Sequence, residues 1–159
     1  MTKENSSEIG FEKQIWDAAD ELRGSMDAAE YKHVVLGLIF LKYLSDKFEE
    51  KYLELEANGD DKEDRDEYLA ENIFYVPPEA RWNVIAQKAH TPENGKIIDN
   101  AMKLIEDENS SLKGILPKTF SREELDKKKL GAVIDIFTNV QMSEKEIKKI
   151  FWEELMNIV

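Results

Sequence analysis

The sequence predicts an all-α fold, a compact multi-helix domain built around a long central helix at about residues 27–58. Three observations carry that expectation. Apolar residues recur at helical spacing almost throughout. Three capping-box patterns, Asp27–Glu30, Ser121–Glu124 and Ser143–Glu146, mark helix starts. The stretch "EYKHVVLGLIFLKYLSDKFEEKY", Glu30 to Tyr52, is apolar over nearly its whole circumference from Val34 to Leu44 and then narrows to one stripe. A helix apolar on all sides is surrounded by other helices. Its continuous apolar run, Val34 to Leu41, falls short of the about 20 residues a membrane span needs.

The elements follow in order. Phe11, Ile15, Ala18 and Leu22 form one helical face, closed by Gly24. The central helix follows and should end at Asn58-Gly59, a left-handed C-cap. Gly37 in its interior costs about 1 kcal/mol of propensity relative to Ala. That cost predicts close approach of a neighbouring helix. "DDKEDRDEYLAEN" reads as a short polar helix or turn. "NIFYVPP" reads as extended near 73–77, because a residue before proline avoids the helical region. Pro78 should open a helix through Ala89, and Thr91-Pro92 another, with Ile97, Ile98, Ala101, Leu104 and Ile105 on its core face. "SSLKGILPKTF" reads as a loop or short helix with a Leu112–Ile115–Leu116 patch. Helices over Leu125–Phe137 and from Ser143 complete six or seven in one domain, 1–159. The segment 141–159 reads as a terminal helix, placed to begin a connection to a further domain.

With 42% hydrophobic and 35% charged residues, the composition is that of a globular chain. The absence of cysteine excludes disulfides and Cys-ligated metal sites, and fits a reducing, cytoplasmic setting. "MTKENSSEIG" has no apolar signal region. The net charge of −12 argues against a free-standing, sequence-independent nucleic-acid binder. The charge is uneven, however. Asp46–Glu67 holds 11 acids against four bases, whereas Lys113–Lys129 holds six bases against three acids.

Few residues point to chemistry. The glycines form neither a dinucleotide fingerprint nor a phosphate loop. The acid run 60–67 lacks the calcium-loop register. His33 reads as a surface or interhelical residue, and His90 as a helix C-terminal cap. No nucleophile–base pattern and no metal set is visible, so no catalytic, cofactor or metal residue is assigned. Arg81-Trp82 has two readings: a core Trp with a snorkelling Arg, or an aromatic and a guanidinium offered to a partner. The triplet Lys127, Lys128 and Lys129 is either a solvated face or a phosphate contact.

Four segments, "FEKQIWDAADELRGSMDAAEYK", the central helix, "ENIFYVPPEARW" and "LKGILPKTF…LDKKKLGAVIDIF", together resemble the N-terminal helical domain of the M subunit of type I restriction–modification systems. The resemblance runs from about Phe11 to Val140. It implies a parent adenine-N6 DNA methyltransferase with a separate domain that binds S-adenosylmethionine and flips the target adenine. It also implies partners: an S (specificity) subunit, a second M subunit, an R subunit and double-stranded DNA. The family's catalytic Asn/Asp-Pro-Pro-aromatic motif is not matched. Around Pro77-Pro78, Val76 replaces the polar acceptor and Glu79 the aromatic that stacks on a flipped base.

The expected role is therefore a non-catalytic domain for subunit assembly and closure around DNA, itself without cofactor. The candidate DNA or partner contacts are Arg81, Trp82, Lys88, Lys113, Lys118, Arg122, Lys127, Lys128 and Lys129. The alternative is a stand-alone acidic helical adaptor or DNA mimic, motivated by the charge of −12.

Overall fold

A computed structural model describes residues 26–140 continuously, with Lys13, Trp16, Asp17, Asp20 and 22–24 ahead of them. The helical face from Phe11 and the box at Ser143–Glu146 thus lie largely or wholly outside the described residues. Within them are five α-helices: α1 (Ala28–Ala57), α2 (Arg65–Leu69), α3 (Trp82–Gln87), α4 (Asn94–Glu108) and α5 (Lys127–Thr138). Two 3-10 turns, Pro78–Ala80 and Ser110–Leu112, complete the order. None of these helices is long and apolar enough to cross a membrane.

The 30 residues of α1 make a rod about 45 Å long. From Val34 to Leu41 every residue is buried except half-buried Phe40, and beyond Phe48 only Leu55 is. The helix thus passes from the middle of the core to its edge, as the narrowing apolar pattern predicts. Its end is a Schellman motif: the Gly59 N–H donates to the Glu56 carbonyl at 3.2 Å and the Asp60 N–H to Leu55 at 2.9 Å, with Gly59 at φ +75°. Its start differs from expectation. Asp27 is the N-cap, but its side chain makes no cap hydrogen bond. Glu30 turns to Arg122 instead, 3.4 Å away.

The helix expected from Pro78 to Ala89 is broken in two at Arg81, whose ψ is 144°. Ser45 of α1 explains the break. Its hydroxyl accepts the Trp82 N–H at 2.8 Å, so α3 is capped from another helix rather than by the residue that precedes it. The extended segment at 73–77 joins no sheet. The Asn109 side chain replaces a neighbouring strand: its Oδ1 accepts from Tyr75 N–H at 3.1 Å and its Nδ2 donates to Tyr75 C=O at 2.8 Å.

Helix α4 begins after Glu93, two residues beyond Pro92. Ser121–Glu124 forms a turn rather than a capping box. Asp126 is the actual cap of α5, accepting from the N–H groups of Lys128 at 2.9 Å and Lys129 at 3.2 Å. Of the expected apolar patch, Leu112 and Leu116 are buried, whereas Ile115 is 65% exposed.

Gly37 does mark a close approach, but a loop makes it, not a helix. A Cβ there would lie 2.5 Å from Pro117 Cγ. Two further glycines mark crossings that the sequence reading missed. A Cβ at Gly131 of α5 would lie 2.5 Å from the Ala89 carbonyl oxygen. One at Gly95 of α4 would collide with the Phe120 backbone. Backbone cannot yield as a flexible side chain can. Gly→Ala inside a helix ordinarily gains about 1 kcal/mol. At Gly131 the sign should reverse, with a net loss of about 1–3 kcal/mol from overpacking. Urea denaturation of Gly131→Ala checks this, and a midpoint at or above that of the wild type would refute the crossing.

Candidate functional site

The nine residues expected to face DNA or a partner do not share one environment. Trp82 is core, only 5% exposed, and its Nε1 donates to Thr138 Oγ1 at 2.8 Å. Arg81 lies with its guanidinium 4.6 Å from the Phe48 ring centroid and 5.3 Å from that of Tyr52. It also donates to the Val76 carbonyl at 3.0 Å and pairs with Glu63 at 3.1 Å. Lys118 pairs with Glu106, at 2.5 Å. Arg122 is held between Glu30 and Glu124. Lys127 folds back so that its Nζ donates to the carbonyls of Arg122 and Leu125, at 2.5 and 2.7 Å. These side chains hold the scaffold together.

The other four, Lys88, Lys113, Lys128 and Lys129, are exposed and make no ion pair with a described residue. Lys128 lines an open recess with His90, Thr91, Pro92, Asp126 and Lys127. Lys128 and Lys129 also sit in the first turn of α5, where the helix dipole disfavours cations. Packing of the chain therefore does not account for their charge. His90 does not cap carbonyls as expected. Its Nε2 lies 2.6 Å from Asp135 Oδ2, tying the end of α3 to α5.

The acidic stretch is organised around an aromatic cluster. Phe48 stacks on Tyr68 with centroids 4.6 Å apart and meets Tyr75 edge-on at 5.4 Å. Glu63 accepts from Tyr75 Oη at 2.7 Å and from Arg81. Burial alone would raise the Glu63 pKa, but those hydrogen bonds and the Arg81 charge prevail and hold it below the ordinary carboxylate value. The same burial, with Glu63 nearby, pushes the Tyr68 phenol up to about 12. Arg65 stacks over Tyr75 at 4.6 Å and forms a fork with Glu108 at 2.6 and 3.0 Å.

Two carboxylates of α4 that the sequence reading did not single out fasten the loop that crosses α1. Asp99 accepts from the N–H groups of Phe120 at 2.9 Å and Ser121 at 3.1 Å. Glu106, 6% exposed, accepts from the Leu116 N–H at 2.9 Å and pairs with Lys118. Lys42 was also overlooked. It is 5% exposed, bonded to Asp46 at 2.6–2.7 Å and to the Val140 carbonyl at 3.0 Å. A lysine inside "GLIFLKYL" with an acid four residues on was a visible signal for that pair. Nothing in the sequence marked Asp99 and Glu106 among so many acids. No group of three metal-ligating side chains occurs among the described residues.

The shifted carboxylates Glu63, Glu106 and Glu108 thus each bond to a cation or a backbone N–H of the scaffold. This arrangement defines a helical scaffold domain whose polar chemistry serves packing and whose unpaired charge lies at the surface. Comparison with known proteins gives the class its family. The chain belongs to the HsdM N-terminal domain family, whose model matches residues 11–137. It is 34% identical to the type I restriction enzyme MjaIX methylase subunit of Methanocaldococcus jannaschii, over 89% of this chain and 28% of that protein. It is 25% identical to the MpnII methylase subunit of Mycoplasma pneumoniae, over 86% of this chain and 29% of that protein. The chain therefore spans under a third of the length of either relative.

Burial alone would raise the Glu106 pKa, but the bonds from Lys118 and Leu116 outweigh it and hold it below its ordinary 4.5. A depressed carboxylate adds stability that is present above its unfolded pKa and lost as pH falls through the folded one. The melting temperature should therefore drop on acidification below about pH 4.5. Glu106→Gln should melt lower at pH 7 and show a shallower acid slope, as followed by circular dichroism. Parallel acid slopes would show that Glu106 carries none of this dependence.

Proposed function

We propose that the chain acts as the non-catalytic N-terminal part of a type I DNA methyltransferase subunit, where it helps assemble the complex and close it around DNA. Membership of the HsdM N-terminal domain family supports this reading, and so do the names of the two methylase relatives. In this proposal the remainder of the parent subunit binds S-adenosylmethionine and methylates adenine N6. An S subunit, a second M subunit and an R subunit are the protein partners. The Pro77-Pro78 pair serves here as the bend between the extended segment and a 3-10 turn, with Val76 fully buried. That placement suits a structural role.

One observation guides the DNA-facing assignment: Lys88, Lys113, Lys128 and Lys129 are the cations of the candidate set not consumed by internal partners. Each phosphate contact made by such a lysine releases a counterion, so affinity should fall steeply with salt. The other members of the set act indirectly, by shaping the surface that presents these lysines. The stand-alone mimic has less support, because the acids cluster at the far end of α1 and around α2 and several are spent on Lys51, Lys62 and Arg81.

The test uses the assembled methyltransferase with duplex DNA. The double variant Lys128→Glu/Lys129→Glu should weaken binding and reduce the slope of log affinity against log salt by about 2. The substituted side chains are exposed, so the fold should be retained. Unchanged affinity and slope would remove these two residues from the DNA surface.

A further inference from the structure

A groove runs along the second half of α1. Its walls are α1, from Lys42 to Leu53, and α3, from Trp82 to Gln87, and one end is closed by Thr138, Asn139 and Val140. It comprises two connected cavities of about 700 and 210 Å³, which share Glu49, Leu53 and Asn83. Leu53 stands at the junction and is 54% exposed, one of three large apolar side chains so placed among the described residues.

The charges of the groove sort cleanly. Lys42 is neutralised by Asp46, and Arg81 by Glu63. Glu49 and Glu50 are exposed on the rim and have no ion-pair partner among the described residues. The groove thus brings apolar Leu53, Ala86 and Trp82 together with Glu49 and Glu50, two negative charges without an ion-pair partner among the described residues. Its two basic groups are both already satisfied.

We propose that this groove is a docking site for a cationic amphipathic helix of a partner protein. Charge complementarity selects that occupant. An acidic helix would bring like charges onto Glu49 and Glu50, and a wholly apolar one would leave the carboxylates facing it without partners. A helix with leucine-like residues on one stripe and lysine or arginine beside it covers Leu53 and pairs with the rim together. The inference stands apart from the four lysines proposed to face DNA, none of which lines the groove.

The probes are three synthetic peptides of about 18 residues, long enough to populate a helix. One is an amphipathic Lys/Leu peptide, the second its Glu/Leu counterpart, the third a Lys/Ser control of equal charge. Each is titrated into the full chain by heteronuclear NMR. The Lys/Leu peptide should bind and shift the amides of Leu53, Asn83, Ala86 and Gln87. Leu53→Ser should weaken it about tenfold or more by removing the apolar contact. Glu49→Gln/Glu50→Gln should weaken it too and flatten its salt dependence. The Glu/Leu peptide should not bind.

Equal binding of the Lys/Ser peptide would reduce the effect to long-range attraction by an acidic chain and overturn the proposal. So would shifts confined to other surfaces. Self-association mapped to the same amides would assign the groove to a second copy, and binding only after removal of residues 141–159 would assign it to this chain's own continuation. Either result would also overturn the proposal.

Discussion

Pro117 lies across α1 at Gly37, in space that a single methyl group would fill. The rest of the packing depends on that crossing. The loop that carries Pro117 is held from α4 by Asp99 and Glu106, seven residues apart and so two turns along one face. The loop also brings Phe120, fully buried, over Gly95 at the start of α4. One short irregular segment therefore joins the central helix to α4 and leads into α5. The Leu116 and Phe120 N–H groups, which would otherwise lie below the surface without partners, are satisfied by ionised carboxylates, which form the stronger class of hydrogen bond. The two remaining glycine crossings use the same principle: where helices are short, close backbone approach replaces long interdigitated side-chain ridges.

This packing spends several of the described cations inside the fold. Arg81, Lys118, Arg122 and Lys127 fasten carboxylates or carbonyls from elsewhere in the fold, and Lys42 fixes the chain after α5 through the Val140 carbonyl. Lys88, Lys113, Lys128 and Lys129 are exposed without an ion pair to a described residue, and so are Glu49 and Glu50 on the second half of α1.

The all-α class, the span of α1 and its glycine end were legible because they rest on local rules: apolar period, length and left-handed caps. Gly37 was legible as a contact but not in its partner, since a helix propensity cost does not say what comes near. The break at Arg81 was not legible. It depends on Ser45, 37 residues earlier, capping a helix it does not belong to. The start of α5 was misplaced because Ser121 and Asp126 both fit the rules for a cap. The Ser121 N–H goes to Asp99, and Asp126 takes the helix. Charge density suggested a basic segment at 113–129, but burial and long-range pairing, with Glu30 and Glu106, decide which of its members are free.

The central claim is that α1 and the Pro117 loop fit together through the missing side chain of Gly37. A double-mutant cycle on the melting free energy tests it most directly. Gly37→Ala alone should destabilise the domain, although helix propensity favours alanine. In a Pro117→Ala background, where the ring carbon facing Gly37 is gone, the same substitution should cost markedly less. Costs that add without coupling, or a Gly37→Ala variant more stable than the wild type, would contradict the account.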